Sequence, residues 1–214
     1  MNGLKILAPI LVTEATRKQT ASLIFLHGSG DSGQGAKDWI RKVFGSKFVF
    51  PNIKILYPSA PCQPYSPVQG KPWNVWFDRD KISLYADENV PSLDTACKHL
   101  DDIVNNEIEN GIPTDRILIG GFSMGGALSL YYTLKHRREF KASLDGADES
   151  SLPAVYQAHG TKDFVVPFEW GELTNQKLTS KNVQSQFHRH NCFHEITNTE
   201  MKNLHEWIQN IYPS

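Results

Sequence analysis

A chain of 214 residues with 40% hydrophobic and 21% charged side chains can bury a core of useful size, and it is too apolar to be disordered. Its formal net charge is −1, so it has no basic excess for nucleic acid and no polybasic tail for anionic lipid. The three cysteines, Cys62, Cys97 and Cys192, have spacings that match no zinc or redox pattern, and their odd number does not suit a disulfide framework. They read as reduced thiols of a cytosolic protein.

The first residues, "MNGLKILAPILV", are interrupted by Lys5 and Pro9 and lead to no small-residue cleavage site, which argues against a signal peptide. Glycine stands at position 3 and not 2, so the myristoylation pattern is missing. No apolar run approaches the roughly 18 residues that a membrane span needs. Residues 5–12 read as a strand, at an edge because Pro9 has no N–H to donate. Residues 21–28, "ASLIFLHG", form an apolar run ending in glycine, the pattern of a strand buried on both faces. A glycine-rich loop (28–35) leads into a helix carrying Trp39, Ile40, Val43 and Phe44 on one side and stopping at Gly45.

Residues 53–58 are a third strand. Residues 59–79, with four prolines and two tryptophans, read as a long ordered loop. A helical pattern runs from Asn89 to Asn110 through Val90, Leu93, Ala96, Cys97, Leu100, Ile103, Val104 and Ile108. "RILIGGF" is a strand and "MGGALSLYYTLKH" a helix; "FKASL" (140–144) and "AVYQAHG" (154–160) are two more strands. A helix over 167–180, the strand "VQSQFHRH" and a helix over 198–211 complete the chain. Strand and helix alternate throughout, with no repeat and no linker. The expectation is a single α/β domain over residues 1–214, its mostly parallel central sheet covered by helices on both faces.

The stretch "GFSMG" (121–125) fits Gly-x-Ser-x-Gly between a strand and a helix, which is the context of a nucleophile elbow. Such a turn strains the serine, and side chains two positions either side would strike neighbouring strands, so Gly121 and Gly125 are there for space. The turn would expose the Ser123 hydroxyl at the carboxyl edge of the sheet, beside N–H groups that open a helix and favour negative charge. A serine needs a base, and the base an orienting acid, in the chain order Ser, Asp or Glu, His. Asp163 and His194 both follow strand ends, where open α/β sheets place their ligands. Asp145 and Asp148 are rivals for the acid, and His159, His188 and His190 for the base. His188 and His190 alternate along one strand and so share a face away from the loop. His159, at a strand end, also reads as a structural hydrogen-bonding residue. For the developing oxyanion, the donors by position are the N–H of Met124, after the nucleophile, and that of Ser29 in the earlier glycine loop. That loop is not followed by Lys-Ser or Lys-Thr, so it fails the phosphate-binding pattern.

The set "FLHGSGDSGQG", "VWFDR" (75–79), "GFSMGG", "HGTKDFVV" and "FHEI" resembles the acyl-protein thioesterase and lysophospholipase family of α/β-hydrolases, in particular its lysophospholipase-like branch, from about Leu7 to Trp207. The resemblance implies Ser123 as nucleophile, His194 as base, Asp163 as its orienter, and Ser29 and Met124 as oxyanion donors. It implies that Trp76, Phe77 and Asp78 lie beside the acyl pocket. It further implies a cytoplasmic serine hydrolase with no metal or organic cofactor, acting on acyl esters or S-acylated proteins. No nucleic-acid partner and no integral membrane segment are expected. One departure stands out: residues 140–153 are shorter than the family pattern between the nucleophile helix and the "HG..D" strand. That shortening motivates an alternative, a catalytically weak scaffold that binds acylated or protein partners. Trp39, Trp170 and Trp207 read as packing residues on helices, Cys192 as a bystander thiol and "KHRRE" (135–139) as a solvated helix end.

Overall fold

Strand β2 (Ala21–Leu26) explains the architecture, because every one of its residues is buried. Alternate side chains serve opposite faces of the sheet. Ile24 and Leu26 join a cluster with Leu93, Ala96, Leu100, Val104 and Leu128. Leu23 and Phe25 join a second cluster with Ile40, Ile55, Tyr57, Met201 and Ile208. A strand whose two faces are both apolar requires helices on both sides, as the uninterrupted run "ASLIFL" predicts.

The computed structural model describes residues 9–137 and 152–213. In chain order the elements are β1 (Leu11–Thr13), β2, α1 (Gly33–Phe44), β3 (Ile53–Tyr57), β4 (Cys62–Tyr65), β5 (Lys71–Asn74), α2 (Val90–Glu109), β6 (Ile117–Gly121), α3 (Met124–Tyr131), β7 (Val155–Gly160), α4 (Phe168–Thr179), β8 (Ser185–His190) and α5 (Asn198–Ile211). The four-stranded sheet has the order β1-β3-β2-β6. β2 runs parallel to both β3 and β6, with Leu23 opposite Ile55 on one side and Leu118 on the other. β1 is antiparallel to β3 at the sheet's edge among the described residues; of the strand expected over 5–12, residues 5–8 lie outside the described residues and Pro9 precedes the strand that forms. Among the described residues, β7 and β8 form a separate parallel pair. The four-stranded sheet is mostly parallel and has helices around it, as the alternation of strand and helix predicts.

Helices α1, α2 and α5 start where their sequences provide a cap. Ser32 and Asn89 accept from the N–H three residues on, and Thr197 forms a reciprocal capping box with Glu200. The long loop expected over 59–79 holds more order than its prolines suggest. It contains a short antiparallel hairpin, β4–β5, in which Pro64 stands directly opposite Pro72. A two-stranded ribbon tolerates proline because each strand keeps a free edge. Helix α3 continues into a wider π-turn over Tyr132–His136. The strand expected at 140–144, and the rivals Asp145 and Asp148, lie outside the described residues.

Candidate active site

The turn after β6 is as tight as its glycines require. Ser123 has φ 55° and ψ −117°, a left-handed conformation that side-chain-bearing residues rarely adopt. Such a residue persists only when its surroundings enforce it. Here the enforcement is steric. A Cβ at Gly121 would press on the Leu26 carbonyl oxygen and come to 2.8 Å from the Gly125 carbonyl carbon. A Cβ at Gly125 would press on the same Leu26 oxygen and lie 2.7 Å from the His27 oxygen. The Phe122 N–H donates to the Leu26 carbonyl at 3.0 Å, which ties the turn to β2.

Ser123, His194 and Asp163 are brought together from three separate segments. His194 Nδ1 lies 2.6 Å from Asp163 Oδ2, and His194 Nε2 lies 3.0 Å from Ser123 Oγ. An ionised Asp163 can only accept, so Nδ1 carries the proton and Nε2 faces the serine hydroxyl as an acceptor. The other Asp163 oxygen, Oδ1, accepts from the N–H groups of Val165 and Val166 at 2.8 and 2.9 Å. Burial pushes the Asp163 carboxyl up, but the bond to His194 and these two N–H donors outweigh it and hold its pKa below the ordinary value. The His194 ring packs against Phe122, with centroids 4.7 Å apart, and Trp39 from α1 meets Phe122 edge-on at 4.9 Å. The residue between the glycine and the serine thus buttresses the imidazole.

The rival histidines stand apart from Ser123, and none of them is hydrogen-bonded to it. His159 Nε2–H donates to the Val166 carbonyl at 2.9 Å and remains 3.6 Å from Asp163, so it helps hold the loop that presents the acid. His188 stacks on Tyr156 at 4.6 Å, and Trp207 contacts the same tyrosine at 5.5 Å. Burial, then the neighbouring His188, lowers the pKa of His190.

Ser29 sits beside this group. The Ser29 hydroxyl lies 3.6 Å from the Met124 sulfur, so the two residues expected to supply oxyanion donors touch. Gly28 is packed on Ser123 and Phe122. The Gly30 N–H donates to the Asn74 carbonyl at 2.8 Å and the Asp31 N–H to the Gly28 carbonyl at 3.3 Å, which fixes the loop on either side of Ser29. The Met124 N–H opens α3, where the first turn has no intrahelical acceptors.

Trp76 lies below this loop, 3% exposed, and its indole N–H donates to the His27 carbonyl at 2.8 Å. Phe77 packs on the core cluster that contains Trp76. Asp78 accepts from the Ser66 N–H and hydroxyl at 2.8 and 2.7 Å, so it ties β4 to the segment after β5.

Sequence reasoning did not single out His27. It is 1% exposed; its Nε2 accepts from the Ala60 N–H at 2.9 Å, and its Nδ1–H donates to the Gly28 carbonyl at 2.7 Å. Burial lowers its pKa, in keeping with a neutral ring locked in one tautomer. The "HG" pair at the head of the loop is the signal that marks it: an imidazole that shapes the backbone carrying Ser29.

Residues 8–212 match the phospholipase/carboxylesterase family of α/β-hydrolases. Lysophospholipase-like protein 1 of Mus musculus is 41% identical over 216 aligned positions, covering 94% of this chain and 90% of its own. Those positions exceed 94% of 214 residues, so the mouse protein fills positions that this chain lacks. Acyl-protein thioesterase 1 homolog 2 of Dictyostelium discoideum is 33% identical, over 91% of this chain and 94% of its own. Among solved structures, Arabidopsis thaliana SOBER1 superposes with a TM-score of 0.74 at 28% identity, covering 89% and 98% of the two chains. Zea mays acyl-protein thioesterase 2, at 23% identity, shares the fold with a TM-score of 0.78 over 95% and 98%. By its sequence, its sheet and the turn that carries Ser123, this chain belongs to the phospholipase/carboxylesterase family of α/β-hydrolases.

Proposed function

We propose that this chain hydrolyses acyl esters and thioesters through an acyl-enzyme on Ser123. The observation that carries the reading is the unbroken relay from Ser123 Oγ to His194 Nε2 at 3.0 Å and from His194 Nδ1 to Asp163 at 2.6 Å. In this mechanism His194 takes the hydroxyl proton as Oγ attacks the acyl carbonyl. Asp163 keeps the imidazole in the acceptor tautomer and stabilises its protonated form. The N–H groups of Ser29 and Met124 receive the charge on the carbonyl oxygen. Removing one donor of this kind typically costs about 10²–10³ in turnover. His194 then returns the proton to the leaving alcohol or thiol, and activates water to release the acid.

The named relatives are acyl-protein thioesterases and a lysophospholipase-like protein, which supports S-acylated proteins as one substrate class and removal of their acyl groups as the process served. A cytoplasmic setting fits three free thiols, and among the described residues no helix is long and apolar enough to cross a membrane. Short soluble esters are a second reading, favoured by the polar surroundings of Ser29, whose hydroxyl lies 3.4 Å from the Arg79 guanidinium. The weak-scaffold alternative predicts a disassembled site, whereas His194 lies within hydrogen-bond distance of both Ser123 and Asp163.

The test is hydrolysis of p-nitrophenyl esters from acetate to palmitate, with Ser123→Ala beside the wild type and a fluorophosphonate probe as a second readout. Loss of about 10³-fold or more in Ser123→Ala, with loss of labelling, is expected. Full activity in that variant would remove Ser123 from the mechanism. The chain-length optimum chooses between short esters and palmitoyl substrates.

A further inference from the structure

Arg79 ends the "NVWFDR" stretch and has no role in the relay. Its Nε–H donates to the Tyr65 hydroxyl at 2.8 Å, and Nη2 reaches the Ser29 hydroxyl at 3.4 Å. Its guanidinium lies 6.0 Å from the centre of the Phe77 ring. These neighbours are all neutral. Among the described residues Arg79 forms no ion pair, although the chain carries 23 acidic residues. The adjacent Asp78 makes no ion pair with it and is held instead by the Ser66 N–H and hydroxyl. The arginine is held in place from β4, half-exposed, against the side chain of Ser29, the residue whose backbone N–H the proposed mechanism assigns to the oxyanion.

A guanidinium carries five donors in a planar fork that matches carboxylate and phosphate. Two of them are directed at Tyr65 and Ser29. A partly buried cation that is fixed in position, short of acceptors and beside a reacting carbonyl selects for negative charge on what binds there. A long aliphatic chain laid against it would desolvate the charge with no compensation.

Building on the ester-hydrolase reading, we infer that Arg79 is a specificity residue that recognises an anionic group, carboxylate or phosphate, carried by the substrate close to the scissile carbonyl. Two sources share this chemistry: an acyl chain that ends in a carboxylate, and a leaving group that bears a phosphate.

The experiment uses matched thioesters and follows loss of the thioester absorbance. Succinyl against butyryl thioesters of N-acetylcysteamine place the charge on the acyl side. Acetyl thioesters of phosphopantetheine against pantetheine place it on the leaving side. The wild type is expected to prefer the charged member of one pair by about 10- to 100-fold in kcat/KM, mostly through KM, with the preference falling as salt rises. In Arg79→Gln the preference collapses, and Arg79→Lys restores part of it. The pair that responds identifies the source. Equal rates on both members of both pairs in the wild type would overturn the assignment. So would an Arg79→Gln variant that loses the same factor on charged and neutral substrates. If the wild type cleaves no member and takes no fluorophosphonate, the failure belongs to the hydrolase reading. Arg79 is then read directly, as a rise in Tm with millimolar succinate or phosphopantetheine that Arg79→Gln abolishes. No rise in the wild type sinks the proposal on that arm as well.

Discussion

The two halves of the candidate site are held by different forces. Ser123 and Ser29 are supported by β2 and β6 inside a four-stranded sheet, where β2 is buried along its whole length and glycines let backbone press on backbone. Asp163 and His194 stand at the ends of β7 and β8, a pair of strands that are only half-buried for most of their length. Tyr156, Gln157, Asn175, Ser185, His188 and His190 each bury a side-chain polar atom that no other described residue bonds, and all lie on β7, α4 or β8. The nucleophile half is thus fixed by steric exclusion, and the acid–base half by a few polar bonds over a weaker foundation. Stability and activity should come apart when each half is altered.

The largest effect on activity is expected from Asp163→Asn. An amide at this position can donate to Nδ1 and so favours the tautomer that points a proton at Ser123. Turnover should fall by about 10⁴-fold, measured as kcat on a reactive ester. The stability effect has a sign that pH reveals. The folded pKa of Asp163 is depressed, so its contribution is present above the ordinary carboxylate pKa and lost as pH falls through the folded value. Denaturant midpoints should therefore differ between wild type and variant near neutrality and converge in acid. A variant that loses stability equally at every pH would show that the acid–base half is held by packing and not by these polar bonds.

Gly125→Ala probes the other half. The added methyl meets the Leu26 and His27 carbonyls, which belong to the best-buried strand and its extension and cannot retreat. The expected loss is about 4 kcal/mol or more, seen as a fall in Tm or as failure to accumulate folded protein. A tolerated alanine would mean that β2 and the turn have more freedom than the contacts allow.

The two halves also differ in how well the sequence announced them. The elbow was legible because its constraint is local. Gly121, Ser123 and Gly125 lie within one pentapeptide, and the strand and helix around it have clean periods. Asp163 and His194 stand out from the other acids and histidines only by chain order and by their places after strand ends, whereas His188 and His190 lie within a strand. Burial and partner, which only the folded chain supplies, complete the distinction. The β4–β5 hairpin was hidden for another reason: Pro64 and Pro72 are poor strand residues, and their pairing depends on a ribbon with two free edges. His27 is marked only by the glycine that follows it and carries no periodic signal; its role arises from the distant N–H of Ala60.

The smallest expected effect concerns the base of the acid–base half. Glu200 closes the capping box that starts α5, just after the loop bearing His194, and its side chain accepts from the Thr197 N–H at 3.3 Å. Burial pushes its pKa up to about 7, against the opposing pull of that N–H bond. For an acid with a raised folded pKa, the folded state holds more protons than the unfolded one between the two values. Stability therefore falls as pH rises from about 4 towards 7, and the penalty is complete above that. Glu200→Gln keeps an oxygen to accept from Thr197 and removes the charge. It should raise Tm at pH 8 by a few degrees, about 2–4 °C for each kcal/mol in a chain of this size, and by almost nothing at pH 4. If the variant instead lowers Tm at pH 8, the carboxylate's attraction to the helix N-terminus exceeds its desolvation. The loop that carries His194 would then rest on a charge as well as a cap, and the acid–base half would be more electrostatic in character than its burial implies.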